Sequence, residues 1–250
     1  MDGSLQTWLL TLVAVMIVGI SKGGFGGGLG MLAVPIMALT MPPLLAAAIL
    51  LPVLCAMDLM AMRAYWGRWS LEHVKITLPA AILGTIVGAF TFQYLNADHI
   101  RFVIGVISTG FALNSWFKPA QRWIKHKPGV KAGRFWGFTS GLTSFVSHTG
   151  GPPLSVYLLP QQLDKTTLQA TTVLFFTAVN YFKLLPYALL GQLNFANLKI
   201  SLLLLPIAAL AIGMGVYLHK RVSDKLFYQI TYLVLFITGL KLMVDGWQGF

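Results

Sequence analysis

The stretch SKGGFGGGLGMLAVP, residues 21–35, decides how the chain is read. Five of the six residues from Gly23 to Gly28 are glycine, yet the stretch is entered from one apolar run (5–20) and left through another (29–41). Glycine at that density continues a helix poorly, at a cost of about 1 kcal/mol each against alanine. A broken backbone inside hydrocarbon is tolerated only where protein or water lines it. A shorter counterpart, Ser147-His148-Thr149-Gly150-Gly151-Pro152-Pro153, stands in the second half of the chain. The two breaks together are expected to form the substrate site of a transporter.

Composition sets the surroundings of that site. Of 250 residues, 56% are hydrophobic and only 10% charged. Apolar runs long enough to cross about 30 Å of hydrocarbon fill most of the length. The fold class is therefore an all-α polytopic membrane protein, since the short alternating segments of a β-barrel are missing. The run 5–20 lacks a basic segment before it and a small-residue cleavage pattern after it, and is not read as a signal peptide. The net charge of +11 would point to nucleic acid in a soluble domain. Here six of the 18 basic residues (Lys118, Arg122, Lys125, Lys127, Lys131 and Arg134) fall in one loop between apolar blocks, the mark of a cytoplasmic loop. Nucleic acid is not expected as a partner, whereas the lipid bilayer is, with anionic headgroups near that loop. The single cysteine, Cys55, lies in an apolar segment, so neither a disulfide framework nor a Cys-rich metal site is expected, and no cofactor.

Taken in order, 5–19 is expected to span only about 22 Å as a helix, and 29–41 about 20 Å. They read as the arms of a re-entrant or broken helical hairpin, closed by Pro42-Pro43. Full-length segments follow at 44–62, 76–95 and 100–117. After a basic linker the pattern recurs, with short arms at 135–145 and 154–161 and full-length segments at 166–190, 198–219 and 225–244. Gly67 aligns with Gly191, Lys75 with Lys199, Pro79 with Pro206 and Gly88 with Gly215. This is the signature of a duplication, common among transporters. The expected organisation is an N-terminal transmembrane repeat (1–118), a cytoplasmic linker (119–134) and a C-terminal transmembrane repeat (135–250).

A hairpin that returns to its own side plus three crossings makes the halves inverted. That puts 13 of the 18 basic residues on the linker's side, against Arg101, Lys199 and Lys241 opposite, with Lys22 and Lys183 in the membrane. Eight full crossings would divide them 11 against six, so the positive-inside rule prefers inversion.

A half-helix starting near the bilayer midplane aims unpaired N–H groups and a partial positive charge at whatever lies there. The arms beginning near Leu29 and Pro152 are expected to do this, giving an anion site. The candidate substrate residues are Ser21, Lys22, Gly24, Gly26, Gly27, Gly28, Ser147, His148, Thr149, Gly150, Gly151 and Pro152. Asp58, Asn180 and Lys183 are pathway or coupling candidates, because ionisable side chains within spans are expensive to keep. Asp58 and His148 are candidate carriers of a coupling proton. The plainer readings are that the glycines only permit close helix crossings, that Asp58 pairs with Arg63, and that Lys183 snorkels.

The segments SKGGFGGGLGMLAVPIM and HTGGPPLSVYLL, with the duplicated halves, resemble the sulfite exporter TauE/SafE family, also called the toluene-sulfonate uptake permease family. The resemblance covers essentially the whole chain. It implies a bacterial-type inner-membrane permease for small sulfur-containing anions such as sulfite or organosulfonates, driven by an ion gradient, with its glycine elements at 23–30 and 150–153. An anion channel built from the same parts is the alternative. An intramembrane enzyme using His148 as base is a weaker one, since the chain has no nucleophile–base spacing and no metal-ligand motif.

Overall fold

A computed structural model of the chain describes residues 4–24, 28–92, 94, 96–117, 127–218 and 224–249. Within them the first half runs α1 (Leu5–Gly24), a 3₁₀ turn (Gly28–Leu32), α2 (Ala33–Met37), α3 (Pro43–Ala64), α4 (Leu71–Phe92) and α5 (Ala97–Phe117). The second half runs α6 (Val130–Ser147), α7 (Gly151–Leu158), a 3₁₀ turn (Leu159–Gln161), α8 (Lys165–Leu189), α9 (Phe195–Leu218) and α10 (Asp224–Trp247). A long helix, a break, a short helical return and three long helices thus occur twice in succession. Six helices among the described residues (α1, α3, α4, α5, α8 and α9) are long and apolar enough to cross a membrane. The protein is a multi-pass integral membrane protein.

The hairpin arms differ from expectation in length. The first is a 20-residue helix that carries through Ser21, Lys22, Gly23 and Gly24, about 30 Å rather than 22 Å. Its counterpart α6 begins at Val130, inside the segment read as linker, and ends at Ser147. The returns are correspondingly short. Helix propensity is a local cost, and packing overrides it here. Gly19 lies against Ala211 of α9, and Gly215 of α9 lies against the backbone of Ile20.

The same device recurs between α4 and α6. Ile76 meets Gly133, Thr77 meets Gly137, Ala81 meets Gly141, and Gly88 meets Phe145. Residue numbers rise together along both helices, so α4 and α6 run parallel, with backbones close enough for carbonyls to occupy the places of missing side chains. Helices α5 and α10 run antiparallel, since Gly105 abuts Gly239 and Met243 while Phe102 abuts Gly246. Helix α3 sits in the middle, with residues 46–51 buried, and its stretch 44–57 is apolar all round. Leu83, Val87 and Phe90 of α4 and Leu202, Leu203 and Leu210 of α9 face outward, as a lipid-facing surface requires. The turns that open α4 and α9 use Gly67 (φ 75°) and Gly191 (φ 68°), left-handed positions that favour glycine. Pro79 and Pro206 lie inside α4 and α9.

A Cβ at Gly141 would stand 1.9 Å from the Ala81 carbonyl oxygen, a backbone atom that cannot move aside cheaply. Gly141→Ala is expected to cost about 1–3 kcal/mol by overpacking, or about 3–10 °C in melting temperature. Gly110→Ala, with nothing within 4 Å of the added carbon, serves as the control and should not lower it. Thermal unfolding of both purified variants in detergent checks the pair.

Candidate functional site

The last carbonyls of a helix have no partner within it. At the end of α1, side chains from elsewhere supply the missing donors. Gln169 Nε2 of α8 donates to Lys22 O at 3.0 Å, and the Tyr65 hydroxyl donates to Gly23 O at 3.3 Å. The Lys22 side chain turns into the bundle and pairs with Asp58 of α3. The second Asp58 oxygen accepts from Asn180 Nδ2 of α8 at 2.7 Å. Asp58 is 1% exposed and Lys22 8%, so this is a buried ion pair with an amide completing it.

The end of α6 is built on the same plan. His148 takes a left-handed conformation (φ 55°) that stops the helix. Tyr187 donates its hydroxyl to Phe145 O at 2.9 Å. Lys183 donates to Ser144 O at 2.9 Å, to Ser144 Oγ at 3.1 Å and to His148 Nδ1 at 2.6 Å. An ammonium only donates, so His148 Nδ1 is an acceptor. Its proton therefore sits on Nε2, which donates to Ala47 O of α3 at 3.0 Å. The ring is neutral in this arrangement. Lys183 is fully buried at the C-terminal end of α6, where the helix dipole favours a cation. Among the described residues no carboxylate pairs with it.

Between the two clusters lies a cavity of about 30 Å³, room for roughly one water. Lys22, Gly30 and Asp58 line it from one side, Ser144, His148 and Gly151 from the other, and Thr172, Phe176 and Asn180 from α8. Both breaks therefore reach one cavity. The Gly28–Leu32 turn also packs against α7.

Several expected residues stand elsewhere. Gly26 and Gly27 lie outside the described residues. Gly24 ends α1 and Gly28 opens the 3₁₀ turn. Ser21 is buried away from the cavity lining. Ser147, Thr149 and Gly150 secure the second break. Ser147 Oγ and Thr149 Oγ1 are 2.7 Å apart, and Ser140 Oγ donates to Gly150 O at 2.7 Å. Pro152 is half-buried and off the cavity.

The second return offers few free amides. In α7, Pro152 and Pro153 have no N–H and Leu154 N bonds Gly150 O, which leaves Gly151 as the donor of that turn. Helix α2 has only five residues. Lys22 lines the cavity, and Lys183 stands behind the lining against Ser144 and His148.

Gln169, Thr172, Phe176 and Ser144 were not foreseen. The signal for the first three was a stripe on α8, in which Gln169, Thr172, Phe176, Asn180 and Lys183 recur at helical spacing.

A family model described as "Sulfite exporter TauE/SafE" matches residues 11–242. No curated protein and no solved structure matches the chain.

Removing one partner of a buried ion pair leaves the other uncompensated. Lys22→Met or Asp58→Asn alone should therefore destabilise the protein by about 3–5 kcal/mol, and the double variant should recover most of it. Chemical denaturation in detergent, read as a double-mutant cycle, measures this.

Proposed function

The chain belongs to the sulfite exporter TauE/SafE family, and from that premise we propose that it carries small sulfur-containing anions, such as sulfite or organosulfonates, through the cavity between its two breaks. Membership makes it a transporter rather than an enzyme. The observation that carries the site assignment is the buried ammonium of Lys183, held only by neutral groups beside that cavity. Lys22 is offset by Asp58, so in this reading the charge that an anion meets is that of Lys183, which stands behind the lining against Ser144 and His148. Transport by alternating access, driven by an ion gradient, fits a cavity this small, since the substrate must open its own space and be released by reclosing. An open channel has no such requirement.

In this reading the two halves are inverted repeats, supported by the parallel pairing of α4 with α6 and the antiparallel pairing of α5 with α10. Ser70 N donates to Thr171 Oγ1, and Gln161 Nε2 donates to Pro128 O. These contacts support one common end for the α3–α4 loop, the linker and the start of α8. With most of the basic residues, that end is the cytoplasmic one of a bacterial inner membrane.

Uptake of labelled sulfite and of a labelled sulfonate into proteoliposomes, with and without a proton gradient, tests the proposal. Concentrative, gradient-dependent flux is expected, whereas no flux, or flux that only equilibrates, would overturn it. Lys183→Met should reduce uptake to background. Gly30→Val should do the same by filling the cavity, since a carbon added at Gly30 meets nothing within 4 Å. His148→Ala should shift the pH profile of uptake by releasing the Lys183 contact.

A further inference from the structure

The charges at the cavity can be counted. Lys22 and Asp58 cancel, Lys183 behind the lining is counted as its protonated form, and His148 is then neutral because Nδ1 accepts from Lys183 while Nε2 donates to Ala47 O. The sum is one positive charge in a buried space, where an unbalanced charge is costly. A singly charged anion brings that sum to zero. A doubly charged anion overshoots to one negative charge, and the cheapest repair is one proton.

Two groups in the lining are candidates to take that proton. His148 already carries one on Nε2, and a second on Nδ1 would break the 2.6 Å contact and set two cations side by side. Asp58 has no such obstacle. Its neighbours are Lys22 from α1, Asn180, Tyr181 and Lys183 from α8, and Cys55 on its own helix, with His148 in the same cavity lining. Helix α9, also packed on α3, presents Ser201 to Ile49 further along. A proton on Oδ1 leaves Oδ2 able to keep accepting from Asn180, and it removes the reason for the Lys22 ammonium to stay on the carboxylate. That ammonium already lines the cavity.

We infer that this cavity sorts anions by charge: it takes a monoanion as built, and it takes a dianion only together with one proton that settles on Asp58 and frees Lys22 to meet the second negative charge. The inference rests on the transport reading above and deepens it. The step balances simply, since one proton passes from water to the Asp58 carboxylate, Lys22 keeps its three protons, and the filled cavity is neutral in both cases.

The test is calorimetric titration of the full chain in detergent, in buffers of differing ionisation enthalpy, which counts protons bound with each anion. The probes are methanesulfonate, a monoanion, and sulfate, a dianion, both fixed in charge around neutral pH. Sulfite is unsuitable because it gains a proton in that range itself. Sulfate should bind with about one proton, and its affinity should fall about tenfold per unit rise in pH. Methanesulfonate should bind with none, and its affinity should change less than about twofold over one pH unit. Asp58→Asn should bind sulfate without proton uptake and with a flat pH profile. Adding Lys22→Met to it should return the preference to methanesulfonate.

Should Asp58→Asn fail to fold, the proton count in the unaltered protein still decides. Equal proton uptake with both anions, proton uptake with sulfate that survives in Asp58→Asn, or methanesulfonate binding with no sulfate binding at any pH would each overturn the charge rule. Failure of both anions to bind would instead overturn the cavity assignment beneath it.

Discussion

In hydrocarbon, a carbonyl left open at the end of a helix must find a donor within the protein. Both breaks meet that requirement with side chains from distant elements, and the rest of the site follows from it. Gln169 and Tyr65 close the end of α1, while Lys183 and Tyr187 close the end of α6. Because one of those four donors is a lysine, closing α6 brings a basic side chain into the bundle. Because Lys22 stands in the last turn of α1, closing that end brings a second, and Asp58 on the central helix answers it. The helix end and the proposed anion site therefore share one residue, and a substitution at Lys183 disturbs both together.

The helical class and the order of long and short elements could be read from hydropathy, since apolar runs and glycine clusters are local signals. The family, too, was legible in the two glycine segments, and the family model spans nearly the whole chain. The reach of α1 and α6 was not legible. Glycine at Gly23 and Gly24 costs helix locally, and only the neighbouring helix, met through Gly19 and Gly215, shows that packing wins.

The partners of the buried charges were equally hidden. Asp58, Lys22, Asn180 and Lys183 could each be singled out as a polar group in an apolar run. That Lys22 joins Asp58 across 36 positions, and Asn180 joins it across 122, depends on which helix faces which. Periodicity records the face of a residue and says nothing of who stands opposite. Backbone amides are few at the second break for a different reason. Two prolines remove donors from the first turn of α7, and the five residues of α2 make a small dipole.

The glycine seams have a mechanical meaning. Helix α1 is zipped to α9 and α6 to α4, so each tight seam joins an element from before the linker to one from after it. The sturdy pieces of this molecule are thus not its sequence halves. Each is a composite, as is the α5–α10 pair, and any cycle that exposes the cavity first to one face and then to the other must leave these composites whole and slide or tilt one past another.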